Sequence, residues 1–181
     1  MIIYPKHNQQ LLLCLCIVDV FARIDNRGYV VSRDTKRIWR HDRPTDKNDF
    51  LPSEDELLFA FNGIFELLIG NDVWGASIKP SQIYCIQCQA LYNGLPAKLE
   101  DISKALPLKA PKDLEGAAIM KRMCFPNKKT GEFEYSEEMM SHLVKYCDTD
   151  IEAEAELLEN TRPLPPHELR CYQETLDINI T

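Results

Sequence analysis

Apolar residues recur at three- and four-residue intervals between Met140 and Leu158, which is the spacing of one buried stripe along a helix. The stripe consists of Met140, Leu143, Val144, Cys147, Ile151, Ala155 and Leu158. Ser136 stands where an N-cap residue is expected, and the proline-rich segment 162–166 ends the pattern. The sequence therefore predicts one long helix between these two signals.

The first forty residues have the pattern of strands. Residues 11–20 form an apolar run with little polar interruption, as in a buried strand. The turn signal 25–28 follows, and residues 29–32 and 37–39 predict one or two further strands, which gives a meander. A signal peptide is disfavoured because Asp19 separates the short apolar run from the following small residues.

The segment after the polar loop 41–51 contains two competing signals. Residues 53–56 read Ser-Glu-Asp-Glu, a capping box that predicts the start of a helix. Residues 57–61 fit either a continuation of that helix or a short strand. Asn62-Gly63 is a break in both cases, and a helix covering 65–69 is expected to end near Gly70.

Most of the remaining chain is predicted to be helical, with a charged loop at 127–134. The further predicted helices cover residues 81–92, 98–106, 113–124 and 167–179. In the first of these, Tyr84, Cys88, Leu91 and Tyr92 fall on one face. Strands followed by helices indicate an α/β domain with a mixed sheet flanked by helices.

Length and charge limit the function classes. The chain has 181 residues, of which 45% are hydrophobic, so one domain with a sizeable core is expected. A net charge of −7 is unsuited to binding nucleic acid mainly through phosphates, but it does not exclude a protein that handles a strand end through carboxylate-bound metal ions. Two basic groups, at 36–43 and at Lys128-Lys129, would either follow a nucleic-acid backbone or form solvated faces.

The seven cysteines lie mostly within apolar runs, which indicates reduced core residues of a cytoplasmic protein. Cys85 and Cys88 have CxxC spacing, but a zinc site needs a second pair of ligands, which the sequence lacks. A redox pair would favour a strand-to-helix turn, whereas these two residues fall inside a predicted helix. We therefore expect them to be helix core.

Tyr146 and Asp150 are the strongest candidates for chemistry. They are four residues apart, so they stack on one side of the long helix, and Asp150 borders the apolar stripe. A carboxylate pressed against a core face needs a cation or hydrogen-bond donors. A tyrosine one turn earlier is placed to align a water, and this pair suits metal-assisted phosphodiester cleavage.

A second segment, Asn62-Gly-Ile-Phe65-Glu66, stands at a turn entering a helix. Together with Tyr146-xxx-Asp150 it resembles the second and third motifs of 3′–5′ exonucleases with a ribonuclease-H-like fold. The resemblance is to the proofreading domain of phage-type family A DNA polymerases, and it extends from about Tyr4 to the end of the chain. Further matching segments are 85–99, 112–116, 125–126, 163–168 and 176–179.

The resemblance implies a site for two divalent ions, Mg²⁺ or Mn²⁺, at the 3′ end of single-stranded DNA. Glu66 and Asp150 would bind metal in a common pocket, and Tyr146 would position the hydrolytic water. On the substrate side, Asn62 would order the acid or the substrate, and Phe65 would pack beneath the site as a core residue. Asn62 as a plain turn residue and Glu66 as a solvated helix residue remain open alternatives.

The sequence departs from the family at its first motif, Asp-x-Glu, which supplies carboxylates for both metals. The strand-borne acid near the start, Asp19, is followed two residues later by Phe21. By order, residues 11–20 match the second strand of the family, so the first strand would precede Met1. Residues 1–160 then correspond to the exonuclease-like domain, and 161–181 to a linker and the start of a helix leading to an absent polymerase domain.

Three hypotheses follow. The first is an active exonuclease domain, and the second is a non-catalytic remnant that binds nucleic acid, a polymerase domain or another protein chain. The third is a CxxC redox or metal protein unrelated to nucleases. The missing Asp-x-Glu motif favours weak or no activity, and no membrane association is expected.

Overall fold

The computed structural model describes residues 2–6, 9–25, 28–40, 50–106, 108–109 and 113–180. It has five strands, β1 (Ile2–Lys6), β2 (Gln9–Asp25), β3 (Gly28–Arg40), β4 (Leu58–Ala60) and β5 (Ile83–Cys85). Its helices are α1 (Gly63–Asp72), α2 (Ile86–Tyr92), α3 (Leu99–Ala105), α4 (Leu114–Cys124), α5 (Glu137–Asn160) and α6 (Pro166–Ile180). The predicted α/β class is confirmed.

The chain forms two compact units. The first contains residues 1–19, 35–50 and 110–152, and the second contains 20–34, 51–109 and 153–181. No helix in the described parts of the chain has the length and apolar composition that a membrane span requires.

The described strands form two sheets where a single mixed sheet was expected. One sheet has the order β1-β2-β3, and β1 runs antiparallel to β2 with Lys6 opposite Gln9. The predicted strands 11–20, 29–32 and 37–39 are confirmed, the last two as parts of one strand. The predicted turn 25–28 and the predicted loop 41–51 fall largely on residues that lie outside the described ones.

The core of the first unit is formed by α4 and the beginning of α5. Ile119 and Met123 pack with Met140, Leu143 and Cys147, so the predicted apolar stripe is buried here. The predicted cap of α5 is confirmed, because the Ser136 hydroxyl accepts a hydrogen bond from the Met139 amide at 3.1 Å. Similarly, the Asp113 carboxylate accepts one from the Gly116 amide at 2.8 Å.

The second unit is organised around a parallel pair of strands. Leu58 lies opposite Ile83, and Ala60 lies opposite Cys85. A cluster of Leu67, Ile78, Ile83 and Leu176 joins α1 and α6 to β5. The Gln173 side chain donates hydrogen bonds to the carbonyls of Ser81 and Ile83, at 2.9 and 3.2 Å, which fixes α6 against this segment.

The helix predicted to begin at Ser53 is wrong. One bond of the capping box forms, since the Ser53 amide donates to Glu56 Oε2 at 2.7 Å, but the Glu56 amide donates to the Ser53 backbone carbonyl at 3.1 Å, which closes a single turn. Gln82 Nε2 also donates to the Ser53 carbonyl, at 2.8 Å, so a tertiary bond holds this turn. The ambiguous segment 57–61 forms the strand β4.

The helix predicted over 81–92 is also wrong in its first half. Residues 80–82 form a 3-10 turn, Ile83–Cys85 form β5, and the helix begins only at Ile86. All three residues of β5 are buried and pair with β4, and this tertiary pairing overrides the local helical pattern. Cys85 and Cys88 therefore stand at a strand-to-helix junction.

A buried polar network holds the second unit together. The Tyr84 hydroxyl donates to Gln89 Oε1 at 2.6 Å and accepts from the Leu164 amide at 2.8 Å. Gln89 Nε2 donates to the Thr161 hydroxyl oxygen at 2.6 Å. Because Tyr84 and Gln89 are almost completely buried, neither finds water as a replacement partner.

We expect Tyr84→Phe to lower the free energy of unfolding by about 1–3 kcal/mol, because the Leu164 amide loses its acceptor and Gln89 loses a donor inside the core. Urea unfolding followed by circular dichroism measures this change. Tyr92→Phe is the matched control, since Tyr92 is 50% exposed. Equal stability of the two variants would contradict the structural role of the network.

Candidate functional site

Tyr146 and Asp150 lie on successive turns of α5 in the first unit, as their spacing predicts. The phenol of Tyr146 acts on the carboxyl of Asp150 and lowers its pKa against the larger effect of burial. Both are partly buried beside the cluster formed by α4 and α5. The helix thus holds a phenol and a carboxylate in one fixed arrangement.

Removal from water is the main electrostatic effect on Tyr146 and Asp150. Burial raises the pKa of Asp150 to about 6, the Tyr146 hydroxyl opposes this change, and Cys147 and Asp113 add to it. Burial also raises the pKa of Tyr146, and the neighbouring Asp150 raises it further. Tyr146 therefore stays protonated at neutral pH, where it acts as a hydrogen-bond donor.

Asp113 belongs to the same neighbourhood and was not singled out from the sequence. Its carboxylate caps α4, and its charge acts on both Tyr146 and Asp150. The capping position just before a helix is a recognisable signal for Asp113. Its proximity to α5 arises from helix packing, which residue spacing does not reveal.

Gly116 allows Tyr146 to pack closely against α4. An added Cβ at Gly116 would lie 2.7 Å from Tyr146 Cβ, 2.8 Å from Tyr146 Cδ2 and 2.6 Å from Asp113 Oδ2. These distances are shorter than normal contacts, so α4 approaches the tyrosine this closely only without a side chain. A glycine in the first turn of a helix, normally less favourable than alanine, has a packing reason here.

We expect Gly116→Ala to destabilise the protein by about 1–3 kcal/mol through overpacking, although alanine has the higher helix propensity by about 1 kcal/mol. Thermal or urea unfolding measures the effect. Glu115→Ala provides the control, because Glu115 is the exposed neighbour in the same helical turn. A more stable Gly116→Ala protein would show that the close approach is absent in solution.

The raised pKa of Asp150 links stability to pH. The folded state binds the proton of the Asp150 carboxyl more tightly than the unfolded chain, in which this carboxyl has a pKa of 3.8. The resulting contribution to the free energy of unfolding is complete below pH 3.8 and is lost as the pH rises through about 6. Between about pH 4 and about pH 7, wild-type stability should therefore fall more than that of Asp150→Asn. Denaturation midpoints across this range, with Glu138→Gln as control, test the linkage; parallel profiles would contradict it.

The second predicted segment lies at a corner of the second unit. Asn62 follows β4 and occupies the N-cap position of α1, but its side chain makes no capping hydrogen bond and is exposed. Glu66 lies in the first turn, where burial raises the pKa of its carboxyl, with a smaller increase from Cys85. The expected core position of Phe65 is wrong: the residue is 38% exposed, because α1 buries Leu67 and Ile69 instead.

The predicted ligands Glu66 and Asp150 are of the chemical type that binds a hard divalent cation. Glu66 and Asp150 offer carboxylate oxygens, and burial of both makes a compensating cation favourable. Within the described ranges, no group of three or more His, Cys, Asp or Glu residues is arranged to hold a metal ion. Glu66 belongs to the second unit and Asp150 to the first.

The basic groups differ in their surroundings. Arg40 forms an ion pair with Glu137 at 2.9 Å, and the Arg37 guanidinium lies over the Phe50 ring, 5.9 Å from its centroid. Lys128 and Lys129 are exposed on the predicted loop, which is closed by a 2.8 Å hydrogen bond from the Gly131 amide to the Asn127 carbonyl. Lys128 and Lys129 therefore present two exposed cations on a hydrogen-bonded turn.

Comparison with known proteins gives one relationship. The chain is 29% identical over 138 residues to the DNA polymerase of Bacillus phage SP02. The match covers 72% of this chain and 21% of that protein, so the chain spans about a fifth of its relative. No protein-family model and no solved structure matches the chain. The match supports a relation to a phage DNA polymerase.

Proposed function

We propose that the chain is a 3′–5′ exonuclease-like domain of DNA polymerase descent, with a ribonuclease-H-like fold and weak or no hydrolytic activity. The observation that carries the proposal is the Tyr146–Asp150 pair on successive turns of α5, which has the residue types and spacing of the third exonuclease motif. The similarity to a phage DNA polymerase supports the same descent.

In this proposal Asp150 and Glu66 supply carboxylate ligands for Mg²⁺ or Mn²⁺. Such ions, when bound, activate water and stabilise the leaving oxygen of a phosphodiester. Tyr146 keeps its proton because burial raises the pKa of the phenol, so it remains a donor that orients Asp150 or a water. Asn62, exposed at the start of α1, is available to the 3′ end of single-stranded DNA.

Weak activity follows from the ligands that the sequence lacks. The Asp-x-Glu motif is absent, since Phe21 stands two residues after Asp19. Two-metal hydrolysis depends on several carboxylates that hold both ions in a fixed geometry. With fewer ligands the affinity for the ions falls. A bound DNA end is then hydrolysed slowly compared with the time for which it stays bound.

The alternative function is a binding module for nucleic acid or for a polymerase domain, without catalysis. The exposed Lys128-Lys129 turn favours nucleic acid as the partner, because paired cations on a hydrogen-bonded loop suit a phosphate backbone. Lys128→Glu with Lys129→Glu separates this contribution from that of the metal ligands. The two functions predict the same descent and differ only in whether DNA ends are cut.

We expect Mn²⁺ binding by the wild-type protein to weaken at least about tenfold in Asp150→Asn, and about tenfold in Tyr146→Phe, which removes an orienting hydrogen bond. Isothermal titration with MnCl₂ measures these affinities, and Glu66→Gln tests the second ligand. Glu138→Ala, exposed near the start of α5, is the control. Unchanged Mn²⁺ affinity in both carboxylate variants would refute the metal site.

Incubation of the same variants with 5′-labelled single-stranded DNA and Mn²⁺ then measures trimming from the 3′ end. Slow trimming that disappears in Asp150→Asn supports the exonuclease proposal. Rapid trimming that disappears in the variant would overturn the assignment of weak activity. DNA binding without any trimming, insensitive to Asp150→Asn, would favour the binding module.

A further inference from the structure

Two thiols meet at the junction between β5 and α2. Cys85 is the last residue of the strand and is 1% exposed, while Cys88 lies in the first turn of the helix and is partly exposed. The two thiols interact, and this interaction lowers the pKa of Cys85. Cys88 is the more exposed residue of the pair.

Other groups of the second unit complete the surroundings of Cys85. Burial and the neighbouring Cys85 raise the pKa of the Tyr172 phenol, which belongs to α6. The Cys85 thiol donates a hydrogen bond to the Phe61 carbonyl oxygen at 3.5 Å. A Cβ added to Gly63 would lie 3.1 Å from the Tyr172 hydroxyl oxygen and 3.8 Å from Cys85 Cβ, so the absent side chain lets the tyrosine reach the sulfur.

The Cys88 thiol, the Gly63 amide and the Tyr172 hydroxyl favour a negative charge on Cys85, whereas the Phe61 carbonyl favours the protonated thiol. Hydrogen bonding from the Cys88 thiol lowers the pKa of Cys85 and, with the Gly63 amide and the Tyr172 hydroxyl, outweighs the effect of burial. The same pairing raises the pKa of Cys88. By contrast, burial raises the pKa of Cys124 to about 11, as is usual for a structural cysteine.

We propose that Cys85 and Cys88 are a redox-active dithiol site that exchanges with low-molecular-weight or protein disulfides. Their three-residue separation at a strand-to-helix junction suits closure of an intramolecular disulfide. The accessible Cys88 receives the incoming disulfide, and the shielded Cys85 resolves it. The proposal is independent of the nuclease function, because it depends only on groups of the second unit.

The exchange is balanced as two displacements. The Cys88 thiol passes its proton to the Cys85 thiolate, and the resulting Cys88 thiolate attacks one sulfur of R–S–S–R and expels RS⁻. The Cys85 thiol passes that proton to the expelled RS⁻, and the Cys85 thiolate then attacks Cys88 Sγ and expels the second RS⁻, which takes a proton from water. The cysteine pair, which starts with one proton, loses that proton and two electrons, and R–S–S–R is reduced to two RSH.

The test is equilibration of the folded protein with mixtures of reduced and oxidised glutathione, followed by acid quenching, alkylation and peptide mass analysis. We expect Cys85 and Cys88 to lose two hydrogens together and to retain no glutathione. Cys171 is the internal control, since an exposed cysteine on α6 should carry one glutathione. Circular dichroism of the oxidised protein verifies that it remains folded.

Variants distinguish a redox-active pair from two adjacent thiols. Cys85→Ser should leave a stable mixed disulfide on Cys88, because the resolving sulfur is gone. Tyr172→Phe should shift the equilibrium with glutathione at least about threefold toward the Cys85–Cys88 disulfide, because the reduced pair loses a hydrogen-bond donor to the Cys85 thiolate. Tyr92→Phe, on the exposed side of α2, should match the wild type.

The proposal is overturned if Cys85 and Cys88 both remain alkylatable while Cys171 exchanges in the folded protein. It is also overturned if their disulfide forms only in urea, or if wild-type Cys88 keeps its glutathione as firmly as Cys171. An unchanged equilibrium in Tyr172→Phe would show that the tyrosine hydroxyl does not act on the sulfur, and this would remove the structural basis of the proposal.

Discussion

The parallel pairing of β4 with β5 is the constraint on which the second unit depends. With Ala60 opposite Cys85, the end of β4 delivers Asn62 and Gly63 to the side of the Cys85 thiol. The same register starts α1 at Gly63 and α2 at Ile86. Two candidate sites, the Glu66 turn and the cysteine pair, therefore take their positions from a pairing of only three residues per strand.

The first unit depends on a different feature, the packing that keeps a carboxylate and a phenol at the edge of an apolar helix face. Met140, Leu143 and Cys147 are buried against α4, and Asp150 follows on the next turn. The absent side chain of Gly116 allows α4 to approach Tyr146 closely. Packing thus fixes the orientation of the pair, while the resulting desolvation raises the pKa of Asp150.

The sequence predicts these two units unequally. In α5, periodicity, the Ser136 cap and the terminal prolines agree, so its bounds and buried face follow from local rules. Around Ser53 and Ser81 the local signals indicate helix, but pairing between β4 and β5 decides the outcome. For the same reason the cysteine pair is misread as helix core, since its strand-to-helix setting exists only after the two strands meet.

This setting also connects the two candidate sites of the second unit. Burial is the main cause of the raised pKa of Glu66, and the charge of Cys85 raises it further. Oxidation to a Cys85–Cys88 disulfide removes that thiolate charge, so the Glu66 carboxyl then ionises more readily. A carboxylate binds a divalent cation in its ionised form. Thiol oxidation at the end of β5 would therefore favour, and reduction oppose, metal binding at the first turn of α1.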